Sequence, residues 1–164
     1  MPFQITALPN ELFSEYFSLS DIELAKRNAK WIIADSKPGY PCRSSLEDAE
    51  IGERILAISF NHLDVSSPYA ATGPIFIRNQ VATAKLLSGE IPQSFMNRTY
   101  SIRGYSQSDM MITSEIGVGA DLADILEGTF EDDSVAYIHI HHAGPGCYCV
   151  AAFRVGPRSK KNDI

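Results

Sequence analysis

Residues 135–155 read V-A-Y-I-H-I-H-H-A-G-P-G-C-Y-C-V-A-A-F-R-V. Two β-prone runs flank the turn Ala143-Gly144-Pro145-Gly146, a pattern that folds as an antiparallel hairpin. The segment holds three of the chain's four histidines and two of its three cysteines. His139 and His141 fall on one strand, Cys147 and Cys149 on the other, and period-two alternation puts each pair on a single face. If His141 sits opposite Cys147, then His139 opposes Cys149 and four ligand-type side chains share one face. A slip of one residue puts His142 opposite Cys147 instead and turns His139 and His141 away from both cysteines. Either way the hairpin marks a site without naming a reaction.

Upstream of the hairpin, residues 120–130 carry Leu122, Ile125 and Leu126 on one helical face, with Asp121 and Asp124 near the positive N-terminal end. Residues 99–105 and 109–116 read as paired strands, and residues 81–97 as loop and short helix. Residues 54–60 (R-I-L-A-I-S-F) suit a buried strand, followed by an irregular segment over 61–73 that His62 opens. A loop of that length is functional or hides a missed element. Residues 31–34 form a short apolar strand, broken by the proline-stiffened turn 37–41 that makes Cys42 and Arg43 part of a rigid loop. Ser20-Asp21-Ile22-Glu23 matches a capping box and starts a helix running from Asp21 to about Ala29. Residues 3–8 read as an edge strand. Strands outnumber helices and mostly follow one another directly. The expected fold is α+β, a single domain over residues 1–155 with a mostly antiparallel sheet and two or three helices. A basic, apolar-poor tail over 156–164 is expected to fray.

A chain of 164 residues buries about 70% of the surface its unfolded form exposes, so a core forms without staples. Hydrophobic residues at 45% and charged residues at 21% are those of an ordinary globule. A net charge of -6 argues against nucleic acid or an anionic membrane as partner, since both call for a basic surface. No stretch has the length of a membrane span, and the first residues lack the pattern of a secretory signal. Three cysteines, an odd number, suit free thiols in a reducing compartment, so the expected location is the cytoplasm. The sequence leaves both the oligomeric state and any cofactor open.

Cys42 is the sharper thiol candidate, because the neighbouring Arg43 favours a thiolate. The competing reading tucks Cys42 beneath Trp31 and leaves Arg43 facing water. Arg43, Arg78 and Arg103 lie at or near strand ends and are suited to gathering around a carboxylate or phosphate. His62 serves as a general base or caps a turn. For the cysteine pair of the hairpin, C-x-C differs from the C-x2-4-C knuckle of structural zinc sites, and core or hydrogen-bonded roles are the better reading. It is also one residue short of the C-x-x-C disulfide motif. Residues 117–122 have a superficial likeness to G-x-G-x-x-G, but Leu122 occupies the third small position and too little chain remains for a dinucleotide fold. Nucleophile-elbow, zinc-protease, Walker A and EF-hand motifs are missing.

The blocks at residues 38–43 (PGYPCR), 67–69 (SPY), 73–76 (GPIF), 110–111 (MM), 136–139 (AYIH) and 145–148 (PGCY) together resemble a bacterial family of single-domain proteins, a domain of unknown function. The likeness runs over roughly residues 3–155. It implies no activity, substrate or cofactor. It does imply that the positions of Cys42, Arg43, His139 and Cys147 belong to the family pattern, whereas Cys149 is particular to this chain. Similar proteins carry Asn at the position of His142 and Arg at that of Gly144.

The resulting expectation is a pocket between the 38–43 loop and the 135–155 hairpin that takes a small anionic metabolite. Arg43, Arg78, Tyr40 and His62 would bind it, and Cys42, His139 and Cys147 would be its reactive groups. Two other readings compete: an accessory protein with no active site, and transition-metal binding by Cys and His. Whether the chain is an enzyme does not follow from the sequence.

Overall fold

The computed structural model describes residues 2–156, so the expected tail lies outside the described residues from position 157 onward. Strands β1 (Phe3–Thr6), β2 (Ala29–Ile33), β3 (Arg54–Leu63), β4 (Ala71–Arg78), β5 (Thr99–Tyr105), β6 (Met111–Val118), β7 (Tyr137–His142) and β8 (Tyr148–Arg154) alternate with two helices, α1 (Asp21–Lys26) and α2 (Leu122–Thr129), and several short 3-10 turns. The fold is α+β, and every pairing between strands is antiparallel.

The strands divide between two sheets. One has the order β1-β8-β7-β5-β6, the other β2-β3-β4. Alternation decides what each sheet buries. In β5, β7 and β8, Tyr100, Ile102, Ile138, Ile140, Val150 and Ala152 face α2, where Leu122 and Leu126 close a core with Phe130 and Val135. The three-stranded sheet has its own core of Leu56, Ile58, Ile75 and Ile77 under Phe13 and Leu24. A fully buried aliphatic side chain stabilises by roughly 1.5–3 kcal/mol, so burial in these two clusters is a large favourable contribution to folding.

Two local departures from the expected elements have clear causes. Helix α1 starts on its capping box, with the Ser20 hydroxyl accepting from the Glu23 N–H and the Glu23 carboxylate accepting from the Ser20 N–H. It stops at Lys26 rather than near Ala29, because Asn28 turns the chain at a φ of 52° and β2 begins at the next residue. Strand β3 runs on past Phe60 to Leu63, through a register shift between Asn61 and Leu63. His62 is thus the bulged residue of a strand rather than the first residue of a loop, and the irregular segment shrinks to residues 64–70. The extra ladder bonds to β4 outweigh the polar character of Asn61-His62.

The segment after the proline turn joins the two sheets. Cys42 forms a parallel bridge to Phe76, and the Arg43 N–H donates to the Phe76 carbonyl at 3.1 Å. The Arg43 carbonyl in turn accepts from the Leu8 N–H at 3.0 Å. No helix among the described residues is long and apolar enough to cross a membrane.

Candidate functional site

The hairpin adopts a mixed register. Near the turn His141 opposes Tyr148, and further along Ile140 opposes Val150 and His139 opposes Ala151. Cys149 is the extra residue of a bulge. The turn itself closes with the His142 N–H on the Cys147 carbonyl and the Gly146 N–H on the His142 carbonyl, each at 2.9 Å. In consequence His139 and His141 part from Cys149, while His142 stays beside Cys147 at the turn. Cys149 is buried in the main core, and burial pushes its thiol up to about 12. His139 and His141 take the opposite face beside Tyr148, and among the described residues no three His, Cys, Asp or Glu side chains are placed to hold a metal ion.

That opposite face carries a cluster of rings. The bulge of β3 delivers His62, whose ring stacks on Tyr148 at 5.2 Å and lies 5.2 Å from His141 and 6.2 Å from His139. Burial, then repulsion from the neighbouring His141, His62 and Arg103, lowers His139 to about 3. Burial lowers His141 to about 4, against the hydrogen bond between its Nδ1 and the Gly146 carbonyl. Both rings are therefore neutral at physiological pH.

A cleft of about 590 Å³ opens on the other side of the turn, lined by the 38–43 loop (Pro38, Gly39, Pro41, Arg43), by Pro74 and Phe76 of β4, by Arg98 and Thr99, and by the hairpin turn from His142 to Cys147. Its size is that of an ordinary small-ligand site. Arg43 forms one wall and is only 1% exposed. Its Nε donates to the Tyr148 carbonyl at 2.7 Å, its Nη1 to the Pro41 carbonyl, and its Nη2 to the Cys147 Sγ at 3.0 Å. None of these acceptors is a carboxylate, and among the described residues Arg43 has no ion-pair partner.

Arg98, just before β5, supplies a second cation and pairs with Asp48 at 2.6 Å. Burial pushes the Asp48 carboxyl up, but hydrogen bonds from Arg98 and from the Gly39 N–H outweigh it and hold the group below its usual value. His142 faces both arginines. Burial first, then Arg43 and Arg98, lower it to about 3, and its buried Nε2 has no hydrogen-bond partner. Arg98 and His142 were not singled out in the sequence as binding groups. Arg98 sits in no motif, and its partner Asp48 is 50 positions away.

Of the residues singled out in the sequence, Arg43 and Cys147 line this cleft, and Cys42, His139, Arg78, Arg103, Tyr40 and His62 do not. Arg43 is buried rather than facing water. Cys42 is 2% exposed, and its Sγ accepts from the N–H groups of Ser44, Ser45 and Arg78 at 3.4, 3.5 and 3.3 Å. Arg78 pairs with Glu53 at 2.7 Å and Glu47 at 3.7 Å. Tyr40 hydrogen-bonds Asp35 at 2.7 Å and packs its ring on Phe76, supporting that wall of the cleft from behind.

A family model described as a protein of unknown function (DUF1203) matches residues 39–154, a span that includes both sides of the cleft. No curated protein and no solved structure matches the chain.

Proposed function

We propose that this chain, which belongs to the DUF1203 family of proteins of unknown function, binds a small organic anion in the cleft between the 38–43 loop and the hairpin turn. The observation that carries the reading is Arg43. A buried charge costs several kcal/mol unless a counter-charge offsets it. Three of the five N–H groups of Arg43 donate to two carbonyls and a sulfur, and its guanidinium lies 5.9 Å from the centroid of the Phe76 ring, but among the described residues no carboxylate balances its charge. Arg98 and Asp48 cancel each other, so the cleft keeps one net positive charge in a chain of net charge -6. An anion in the cleft supplies the missing partner, and His142 Nε2 offers it a further polar contact. Walls of Pro38, Pro41, Pro74, Pro145 and Phe76 favour a ligand whose charged group is carried on an apolar body. We read the setting as a bacterial cytoplasm, in keeping with three free thiols.

Calorimetry with phenyl phosphate and benzoate, set against phenol and benzyl alcohol, tests this. Binding of the anions, weakened by salt and by Arg98→Gln, is the expected result. If neither anion binds at millimolar concentration, or the neutral compounds bind as well, the reading fails.

A further inference from the structure

We infer that Cys147 is a site of thiol–disulfide exchange with anionic low-molecular-weight disulfides, an inference that rests on the anion reading of the cleft. The structure sorts the three thiols. Cys42 and Cys149 are each 2% exposed, whereas Cys147 is partly exposed and lines the cleft. Its Sγ is held by the Arg43 guanidinium at 3.0 Å, so an electrophile that reaches the sulfur comes up against a cation. A second observation independently points to a ligand here. His142, 7% exposed and lining the same cleft, keeps a buried Nε2 without a partner.

In the exchange, the Cys147 thiolate attacks one sulfur of R–S–S–R. The bond between Cys147 Sγ and that sulfur forms as the incoming S–S bond breaks. The electron pair leaves on R–S⁻, which takes up a proton from water, and the proton lost by Cys147 goes to solvent. Cys147 is oxidised and half of the disulfide is reduced, so no other oxidant is needed. While Cys147 is still protonated the cleft carries the unbalanced charge of Arg43 and gathers disulfides whose substituents carry carboxylates; the thiolate forms with the anion already seated. Cys149 lies two positions on, but it sits in the core with its thiol pushed up to about 12 by burial. It is thus a poor resolving thiol, and the mixed disulfide should persist.

Reduced wild-type protein is exposed to glutathione disulfide or to cystamine, a cationic disulfide, and adducts are followed by intact-mass spectrometry and peptide mapping. Rates are normalised to those of free N-acetylcysteine with the same reagents. A single adduct on Cys147 is expected, formed at least tenfold faster with glutathione disulfide than with cystamine after normalisation. The advantage should shrink in 1 M salt and in Arg98→Gln, and the adduct should abolish phenyl phosphate binding. Equal normalised rates, or first modification at Cys42 or Cys149, would overturn the inference. Calorimetry on the unmodified protein separates the two ideas. If phenyl phosphate binds without any preference between the disulfides, exchange alone fails; if it does not bind, the anion reading fails as well.

Discussion

Arg43 Nη2 and Cys147 Sγ lie 3.0 Å apart across 104 positions of sequence. With the neighbouring bond from Arg43 Nε to the Tyr148 carbonyl, this contact fastens the proline-stiffened loop to the start of β8. One side chain therefore both ties the loop to the hairpin and supplies the cleft's unbalanced charge.

Arg43→Met is expected to destabilise the protein by about 2–4 kcal/mol, because it strands buried carbonyls that cost about 1–3 kcal/mol each when unpaired. Relief of the uncompensated charge offsets part of this. Arg43→Lys keeps the charge but loses the planar fork, and should also be less stable than wild type. Urea unfolding at pH 7 gives the comparison. A loss below about 0.5 kcal/mol for Arg43→Met would mean that the contacts of Arg43 contribute little.

One of the three thiols should react quickly with an aromatic disulfide reagent in the folded protein, and all three after unfolding. Cys147 is the partly exposed one; Cys42 and Cys149 are buried. Cys42 is further covered by the N–H groups of Ser44, Ser45 and Arg78. Replacing Cys147 by Ser should remove the fast phase. A fast phase that survives the substitution would show that the loop around Cys42 opens readily.

Much of the fold was legible because it rests on local chemistry. The Gly/Pro turn and the alternation beside it specify the hairpin, and Ser20 and Glu23 specify the start of α1. What could not be read depends on partners far along the chain. The bulge at Cys149 arises because Val150 and Ala152 must face the core while Tyr148 faces His62, and alternation within β8 alone cannot reveal that conflict. His62 belongs to β3 because β4 pairs with it there. Arg98 enters the cleft through Asp48 and the 38–43 loop, neither of which leaves a mark near residue 98.

Stability should fall between pH 6.5 and pH 4. An unfolded histidine titrates near 6.5, whereas folding holds His139 and His142 near 3 and His141 near 4. Between those values the unfolded chain binds more protons than the folded one, so stability rises with pH across the window. Their contribution is complete above pH 6.5 and is lost as pH falls towards the folded values. Each group contributes roughly 1.4 kcal/mol per pH unit at most, so three acting together would remove up to about 8 kcal/mol by pH 4.5, a large share of a typical reserve of about 5–15 kcal/mol. Urea unfolding at pH 7, 6 and 5 should give steadily smaller free energies. A flat profile down to pH 5 would show that the rings accept protons without leaving their buried places.

Gly144→Arg should strengthen anion binding without disturbing the fold. Gly144 lines the cleft, and a Cβ added there meets nothing within 4 Å. The turn's demand for glycine falls on Gly146, whose φ is 79°, so Gly146→Arg should cost about 1 kcal/mol or more while Gly144→Arg stays within about 0.5 kcal/mol of wild type. A guanidinium at position 144 adds a cation at the mouth of the cleft. An exposed charge pair in water at about 4 Å is worth roughly 1 kcal/mol, so phenyl phosphate should bind about fivefold tighter at low salt. The gain should shrink at high ionic strength, where the screening length falls to about 3 Å. A well-folded Gly144→Arg protein with unchanged or weaker affinity would place the anion away from the hairpin turn, and would leave Arg43 without the partner assigned to it.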